Sequence, residues 1–404
     1  MSKKTLLILS FTCLALIFLY FLSDGGSVSK KSKGRALIFS QMKWDSVSSI
    51  TLQKGEASLE IESLLNGGSW TIPSRNSYPA SASAVRSLFL KLMDLSSAQA
   101  IDASQEGIKK LGLSDDSREF GQGSIAFKDK SGKVLDKLYL GGLRTRKNET
   151  PEKLMSLSGQ YVRLESRPDI FLVPLPVTFQ TDVSAWLETG VLSIKPSLVY
   201  RVMVLDGTGL SELFRLDRST LLRDEKEPEF SLSIAVPAGK EVQDTTVRQL
   251  VLALEDLRLE DVKSKTDDVV KDFTPSRILK YELVNGLVYL LGVKETDGVA
   301  YLSLSVSRDE ALVEELVKKF EIEGLNENGS DDQISDETIL STESNSEASD
   351  NKPDLLKTPV FASVDEARTE NDRLNSWIYI VPDFVAKKFI KDQSEFFREK
   401  PVEE

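Results

Sequence analysis

Val85-Arg86-Ser87-Leu88-Phe89-Leu90-Lys91-Leu92-Met93-Asp94-Leu95 and Val247-Arg248-Gln249-Leu250-Val251-Leu252-Ala253-Leu254-Glu255-Asp256-Leu257 are two versions of one segment, V-R-x-L-x-L-x-L-x-D-L, identical at seven of eleven positions. Self-similarity at this spacing decides how many folding units a chain contains, so it is read first. The match extends outward in order. Val47–Leu52 lines up with Val199–Val204, Leu59–Ile61 with Leu213–Leu216, and Trp70–Pro73 with Ser233–Pro237. Beyond the shared segment, Leu138–Gly141 answers Tyr289–Gly292, Tyr161–Leu164 answers Tyr301–Leu304, and Ile170–Pro174 answers Ile378–Pro382. Six short matches in one order around a long anchor predict a duplicated unit.

The anchor segment has helical spacing. Val85, Leu88, Phe89, Leu92 and Leu95 recur at i, i+3, i+4 and i+7, as do Val247, Leu250, Val251, Leu254 and Leu257. Ser81 or Ser83 is the expected cap of the first helix, and Asp244 or Thr245 of the second. The flanking pieces are short, rich in Val, Ile, Tyr and Phe, and broken by Gly, Asn, Asp or Pro, which are strand and turn signals. Asn66-Gly67-Gly68 and Asp129-Lys130-Ser131-Gly132 read as hairpin tips. Strands joined by short turns pair antiparallel. The expected fold is therefore α+β: two tandem duplicated units of mainly antiparallel sheet with one main helix each, after a single N-terminal transmembrane helix.

The expected layout is an anchor at 1–26, a basic linker at 27–39, a first unit at 40–195, a second at 196–397 and a tail at 398–404. With 404 residues, 40% of them hydrophobic, the chain has material for two cores. The net charge of −12 is mostly local. Residues 321–357 hold eleven Asp or Glu against two Lys and are otherwise rich in Ser, Asn and Gly, the composition of a disordered acidic insertion within the second unit. An acidic chain without a basic stripe argues against nucleic acid as a partner.

Leu6–Leu22 is apolar apart from Ser10 and Thr12, and Lys3 and Lys4 precede it. Its length and the absence of a small-x-small cleavage pattern favour a retained anchor over a removable signal peptide. Cys13 is preceded by Ser10-Phe11-Thr12, which does not fit a lipidation site. Lys30, Lys31, Lys33 and Arg35 make the far side as basic as the near side. They begin well beyond the apolar run, and the expected orientation is N-terminus inside with the body in the periplasm.

The chain has no His, which removes His-based nucleophile activation and His-bearing zinc sites. Its single Cys lies in the apolar run, and no phosphate-cradling glycine motif occurs. Gly141-Gly142-Leu143-Arg144-Thr145-Arg146-Lys147 is the nearest anion-binding candidate, though a solvated turn is the simpler reading. The pairs Asp115-Asp116, Asp267-Asp268 and Asp331-Asp332 do not face one another by spacing. Asp94, Asp256, Arg86 and Arg248 read as structural polar residues, and Trp44, Trp70, Trp186 and Trp377 as packing residues. No catalytic, cofactor-binding or metal-binding residues are expected, and no cofactor.

Taken together, V-x-x-I-T-L (Val47–Leu52), Trp70–Pro73, the Val85 helix, Leu111-Gly112-Leu113, Leu140-Gly141-Gly142, Tyr161-Val162-Arg163 and Phe171-Leu172-Val173 follow one order. In that order they resemble the bacterial family called domain of unknown function 4340, over about residues 44 to 260. Members of that family are found beside membrane components of ABC transporters of the gliding-motility type. The resemblance implies an accessory, non-ATPase part of such an assembly, with an ABC permease or substrate-binding-like subunits as partners; no catalytic activity of its own is expected. The alternative expectation is an extracytoplasmic glycan- or lipid-binding module using a cleft between the units, and a distant third is a carboxylate-based hydrolase.

Overall fold

The computed structural model describes residues 36–64, 68–97, 99–102, 104–146, 156–221, 228–328 and 360–400. The expected anchor, Cys13, most of the basic linker, the tip Asn66-Gly67 and Asp331-Asp332 lie outside them. Among the described residues, no helix is long and apolar enough to cross a membrane. The chain is α+β with mainly antiparallel sheets, as expected. It divides into two compact units. One takes in the described residues up to Trp70 and Ala82–Asp182, the other Thr71–Ser81 and everything from Val183 onward. The boundary expected at 195/196 lies a little beyond this division.

The first unit carries β1 (Ser49–Lys54), β2 (Ala57–Leu64), the start of β3 (Ser69–Ile72; its end and β4, Tyr78–Pro79, group with the second unit), α1 (Ala82–Met93), β5 (Gln99–Ile101) and α2 (Gln105–Lys110). It continues with β6 (Gly123–Lys128), β7 (Val134–Arg146), β8 (Ser156–Leu164) and β9 (Ile170–Val173). The sheet order is β4-β3-β2-β1-β6-β7-β8-β9-β5. α1 forms where the 3.6-residue period predicts it and buries Val85, Leu88 and Leu92, while Leu90 and Met93 face out. Each buried side chain contributes roughly 2 kcal/mol before chain entropy is set against it. Trp44 meets Phe89 and Phe127 edge-on at 5.6 and 5.5 Å, and Trp70 lies 5.4 Å from Phe89, so two of the four Trp are packing residues of this core. Asp129 closes the β6–β7 hairpin by accepting from the Ser131 and Lys133 amides, with Gly132 at φ +79°.

The second unit carries β10 (Val199–Asp206), β11 (Glu212–Arg218), β12 (Phe230–Leu232), α3 (Asp244–Val251), β13 (Asp261–Ser264), β14 (Arg277–Leu283), β15 (Leu287–Thr296) and β16 (Val299–Arg308). After these come α4 (Glu310–Asn328), α5 (Val364–Leu374), β17 (Trp377–Val381) and α6 (Asp383–Phe389). Its sheet order is β12-β11-β10-β14-β15-β16-β17-β13. α3 buries Val247, Leu250 and Val251, and the buried Tyr281 hydroxyl on β14 donates to the Leu250 carbonyl at 2.9 Å. Like β3-β2-β1-β6-β7-β8-β9-β5 of the first unit, this sheet runs third strand, second, first, then the four strands after the helix, and closes on the short strand that follows the helix.

Several expectations need correction. α3 is capped at Gln243 with no side-chain hydrogen bond, not by Asp244 or Thr245. Ser233–Pro237 is not a strand; the strand at that end of the sheet order is β12, a few residues earlier. Among its described residues the second unit has four α-helices where one main helix is expected. α4 follows the i, i+4, i+8 stripe Leu312, Leu316 and Phe320, whose first two members are buried against Tyr200, Leu221 and Val288. The disordered insertion expected at 321–357 begins too early, because residues 321–328 are the end of α4; residues 329–359 are outside the described ones. α5 begins at a capping box, in which the Ser363 amide donates to Glu366 at 2.7 Å and the Glu366 amide donates to Ser363 Oγ at 3.1 Å.

Candidate functional site

In the first unit, the short motifs Leu111-Gly112-Leu113, Leu140-Gly141-Gly142 and Tyr161-Val162-Arg163 converge on one place. α2 ends at Leu111, and Gly112 takes the left-handed conformation, φ +69°, that turns the chain out of the helix. The Gly142 amide donates to the Leu111 carbonyl at 3.0 Å, and Arg163 Nε donates to the Leu113 carbonyl at 2.9 Å. A Cβ on Gly112 would lie 2.2 Å from the Gly121 nitrogen, and one on Gly141 2.5 Å from the Leu111 carbonyl oxygen. Glycine is needed because backbone meets backbone there.

This overturns the turn or anion-cradle reading of Gly141–Lys147. Residues 141–146 continue β7, Lys147 lies outside the described residues, and the Gly142 N–H is already used by Leu111. Gln160, buried beside them, donates to the Gly141 carbonyl at 3.4 Å and accepts from the Val177 amide at 2.9 Å. Asp115 accepts from Lys137 Nζ at 2.5 Å and from the Tyr139 hydroxyl at 3.3 Å. The Tyr139 ring has both Lys137 Nζ and the Arg163 guanidinium 4.9 Å from its centroid. Burial, reinforced by the Asp115 charge, pushes the Tyr139 hydroxyl pKa well up, so it stays protonated. The void lined by Gly112, Ser114, Asp115, Gly121 and Gly123 has about 10 Å³, room for one water.

The second unit has a larger polar centre. β10 carries a bulge between Val199 and Arg201 in its pairing with β14, which brings Tyr200 and Arg201 to the same helix residue. Arg201 lies opposite Asp217 on β11 and Glu282 on β14, with Glu315 of α4 as a third carboxylate. Its guanidinium donates to Asp217 at 2.7 Å, Glu282 at 2.8 Å and Glu315 at 2.6 Å. The Tyr200 hydroxyl donates to Glu315 at 2.7 Å. Glu282 is buried and also receives Lys280 at 2.7 Å. Burial works against the Arg201 charge, but Glu315 and Asp217 outweigh it and raise its pKa. Arg201 holds the Glu315 carboxyl below its ordinary range; for Asp217, burial pushes up and the two arginines, Arg201 and Arg215, bring it down.

The other carboxylates singled out from the sequence are not assembled. Asp256 accepts from Arg258 at the surface, Asp267 lies 3.9 Å from Lys263, and Asp268 lies 3.1 Å from Lys271. No group of three or more metal-ligating residues occurs among the described residues. Trp186 is buried, and Trp377 meets Tyr78 edge-on at 5.0 Å within the second unit. Sequence reading missed Arg201, Glu282, Glu315 and Gln160. A charged residue at the second position after a strand start, opposite an acid on the next strand, becomes a signal only once register is known. Chemically both centres neutralise carboxylates with cations and position a helix or turn on a sheet. Neither presents a free nucleophile or a pair of carboxylates facing a void.

A family model described as a domain of unknown function, DUF4340, matches residues 70–275. No curated protein and no solved structure matches the chain.

Proposed function

Because that match takes in just over half of the sequence, the chain belongs to the family of domain of unknown function 4340, and from that premise we propose that it is a membrane-anchored, periplasm-facing accessory protein of an ABC-type transport assembly, acting by interaction and not by catalysis of its own. The observation that carries the anchoring is the apolar run Leu6–Leu22 behind Lys3 and Lys4. The ABC association rests on the company that the family resemblance implies. An interaction role is supported by the ion-paired state of the carboxylates in both polar centres, Asp115 with Lys137 and Asp217, Glu282 and Glu315 with Arg201.

The two units are tandem copies of one ancestral unit in this reading. Its support is the common strand order, the seven identities between the helical segments, and the equivalence of β1 with β10, β2 with β11, β7 with β15, β8 with β16 and β9 with β17.

Two measurements test the proposal. Alkaline phosphatase fused after Glu404 is expected to be active, and a fluorescent protein that folds only in the cytoplasm is expected to be dark there; the reverse pattern refutes the periplasmic placement. Affinity purification of the full chain from native membranes in mild detergent is expected to bring down an ABC permease or ATPase. Recovery free of any transporter subunit defeats the assembly role.

A further inference from the structure

Where the chain enters the first unit, a groove of about 300 Å³ opens between the entry segment and the β6–β7 and β8–β9 ends of the sheet. The entry is fixed in place. Ala36 and Leu37 pair with Ser97 and Ser96, and the Ile38 amide donates to the Leu95 carbonyl at 2.9 Å. The lining is mixed, with Phe39, Met42, Leu135 and Leu164 beside the polar Gln41, Ser46 and Ser166, and Lys43 and Arg167 stand in it. Neither cation has a carboxylate partner among the described residues. Asp136 also lines the groove, but its oxygens are engaged. One accepts from the Lys137 and Ser166 amides at 2.8 and 3.2 Å, the other from Ser166 Oγ at 2.6 Å.

A mixed lining with two cations that have no carboxylate partner among the described residues fits a ligand that is part hydrocarbon and part anion. The volume is at the small end for ligand sites and suits a headgroup with the start of its chains. Leu22, the end of the apolar run, lies fourteen residues before Ala36 in sequence. Fully extended, that stretch spans at most roughly 50 Å, which keeps the groove within reach of a membrane surface holding the run. We propose that this groove binds a phosphate-bearing anion, with an anionic glycerophospholipid headgroup as its source. The choice of source rests on the membrane-anchored reading above; the anion chemistry does not.

The test is titration calorimetry on the full chain in neutral maltoside micelles. Its probes are dihexanoyl phosphatidylglycerol, dihexanoyl phosphatidylcholine and inorganic phosphate. The phosphatidylglycerol is expected to bind at least about tenfold more tightly than the phosphatidylcholine, and Lys43→Gln with Arg167→Gln is expected to abolish that preference. Lys43→Gln alone, at an exposed position, should remove part of it, whereas Lys54→Gln on β1 should leave it intact. Equal binding of the two lipids, or a preference surviving both substitutions, overturns the proposal. Inorganic phosphate competing at the same concentration as the lipid overturns the lipid source. Alkaline washing of membranes reads the anchor separately: a chain that washes off yet keeps the headgroup preference refutes the anchor and leaves the groove standing.

Discussion

Arg201→Met removes the guanidinium from the centre of the second unit's polar network and keeps most of its aliphatic stem. The bond to Glu282 joins side chains that are 20% and 5% exposed. A charge-assisted hydrogen bond so far from water contributes about 2 kcal/mol. Asp217 and Glu315 are 33% and 44% exposed, and solvent screening limits each of those pairs to about 0.5 kcal/mol. Lys280 stays 2.7 Å from Glu282 and Arg215 stays 2.8 Å from Asp217. These remaining cations keep the loss at the low end of the roughly 3–5 kcal/mol range of a stranded buried charge. The expected destabilisation is about 3 kcal/mol. It should fall first on α4, because Glu315 is the helix residue that Arg201 grips. Hydrogen exchange followed by mass spectrometry should show amides of residues 310–323 exchanging on the order of 100-fold faster. A double-mutant cycle with Glu282→Gln should be non-additive by about 1–2 kcal/mol, since the second substitution removes the acid that the first leaves under-compensated. Unchanged protection of α4, or a fully additive cycle, would falsify the assignment of Arg201 as the clamp.

The same network sets the acid limit of the second unit. Asp217 and Glu315 are held below ordinary values of 3.8 and 4.5, so their contribution is complete above those values and is lost as the pH falls through the lower folded ones. The urea midpoint should be flat above about pH 5 and drop below about pH 4, with a shallower drop in Arg201→Met; an identical acid slope in both proteins defeats this account. Gly112→Ala should cost about 3 kcal/mol or more, because its Cβ meets the Gly121 nitrogen at 2.2 Å. Gly132→Ala, at φ +79° but in open space, should cost about 1 kcal/mol, and equal losses at the two sites by thermal unfolding contradict the close-approach argument. Leu250→Ala, with no exposed surface, should cost about 3 kcal/mol, against less than about 1 kcal/mol for Leu90→Ala, whose side chain is 54% exposed; near-equal effects mean that the helix faces were assigned wrongly.

What the residues alone determined was local and periodic. The i, i+3, i+4, i+7 spacing in Val85–Leu95 and Val247–Leu257 specifies two amphipathic helices, because an apolar stripe at that period has no other regular way to reach a core. Short β-rich pieces separated by turn residues specify antiparallel pairing, because two- to five-residue turns cannot carry a parallel crossover. The S-x-x-E signal at Ser363–Glu366 and the apolar stripe Leu312, Leu316, Phe320 were equally legible as helix marks, though the acidic composition nearby drew the reading toward an insertion without structure.

Tertiary structure alone decided the polar centres. Arg201 stands sixteen residues before Asp217, and Glu282 and Glu315 are more distant still in the chain. Only strand register and a bulge at Tyr200 make them neighbours. Gly141 and Gly142 resemble a turn in sequence, since glycine is compatible with any backbone. Both lie inside a long strand, and the Leu111 carbonyl approaches Gly141 so closely that no side chain fits there. Periodicity is a property of neighbouring residues and is written along the chain, whereas register and close approach are set by segments far apart in it, which is why the helices were readable and the clamp was not.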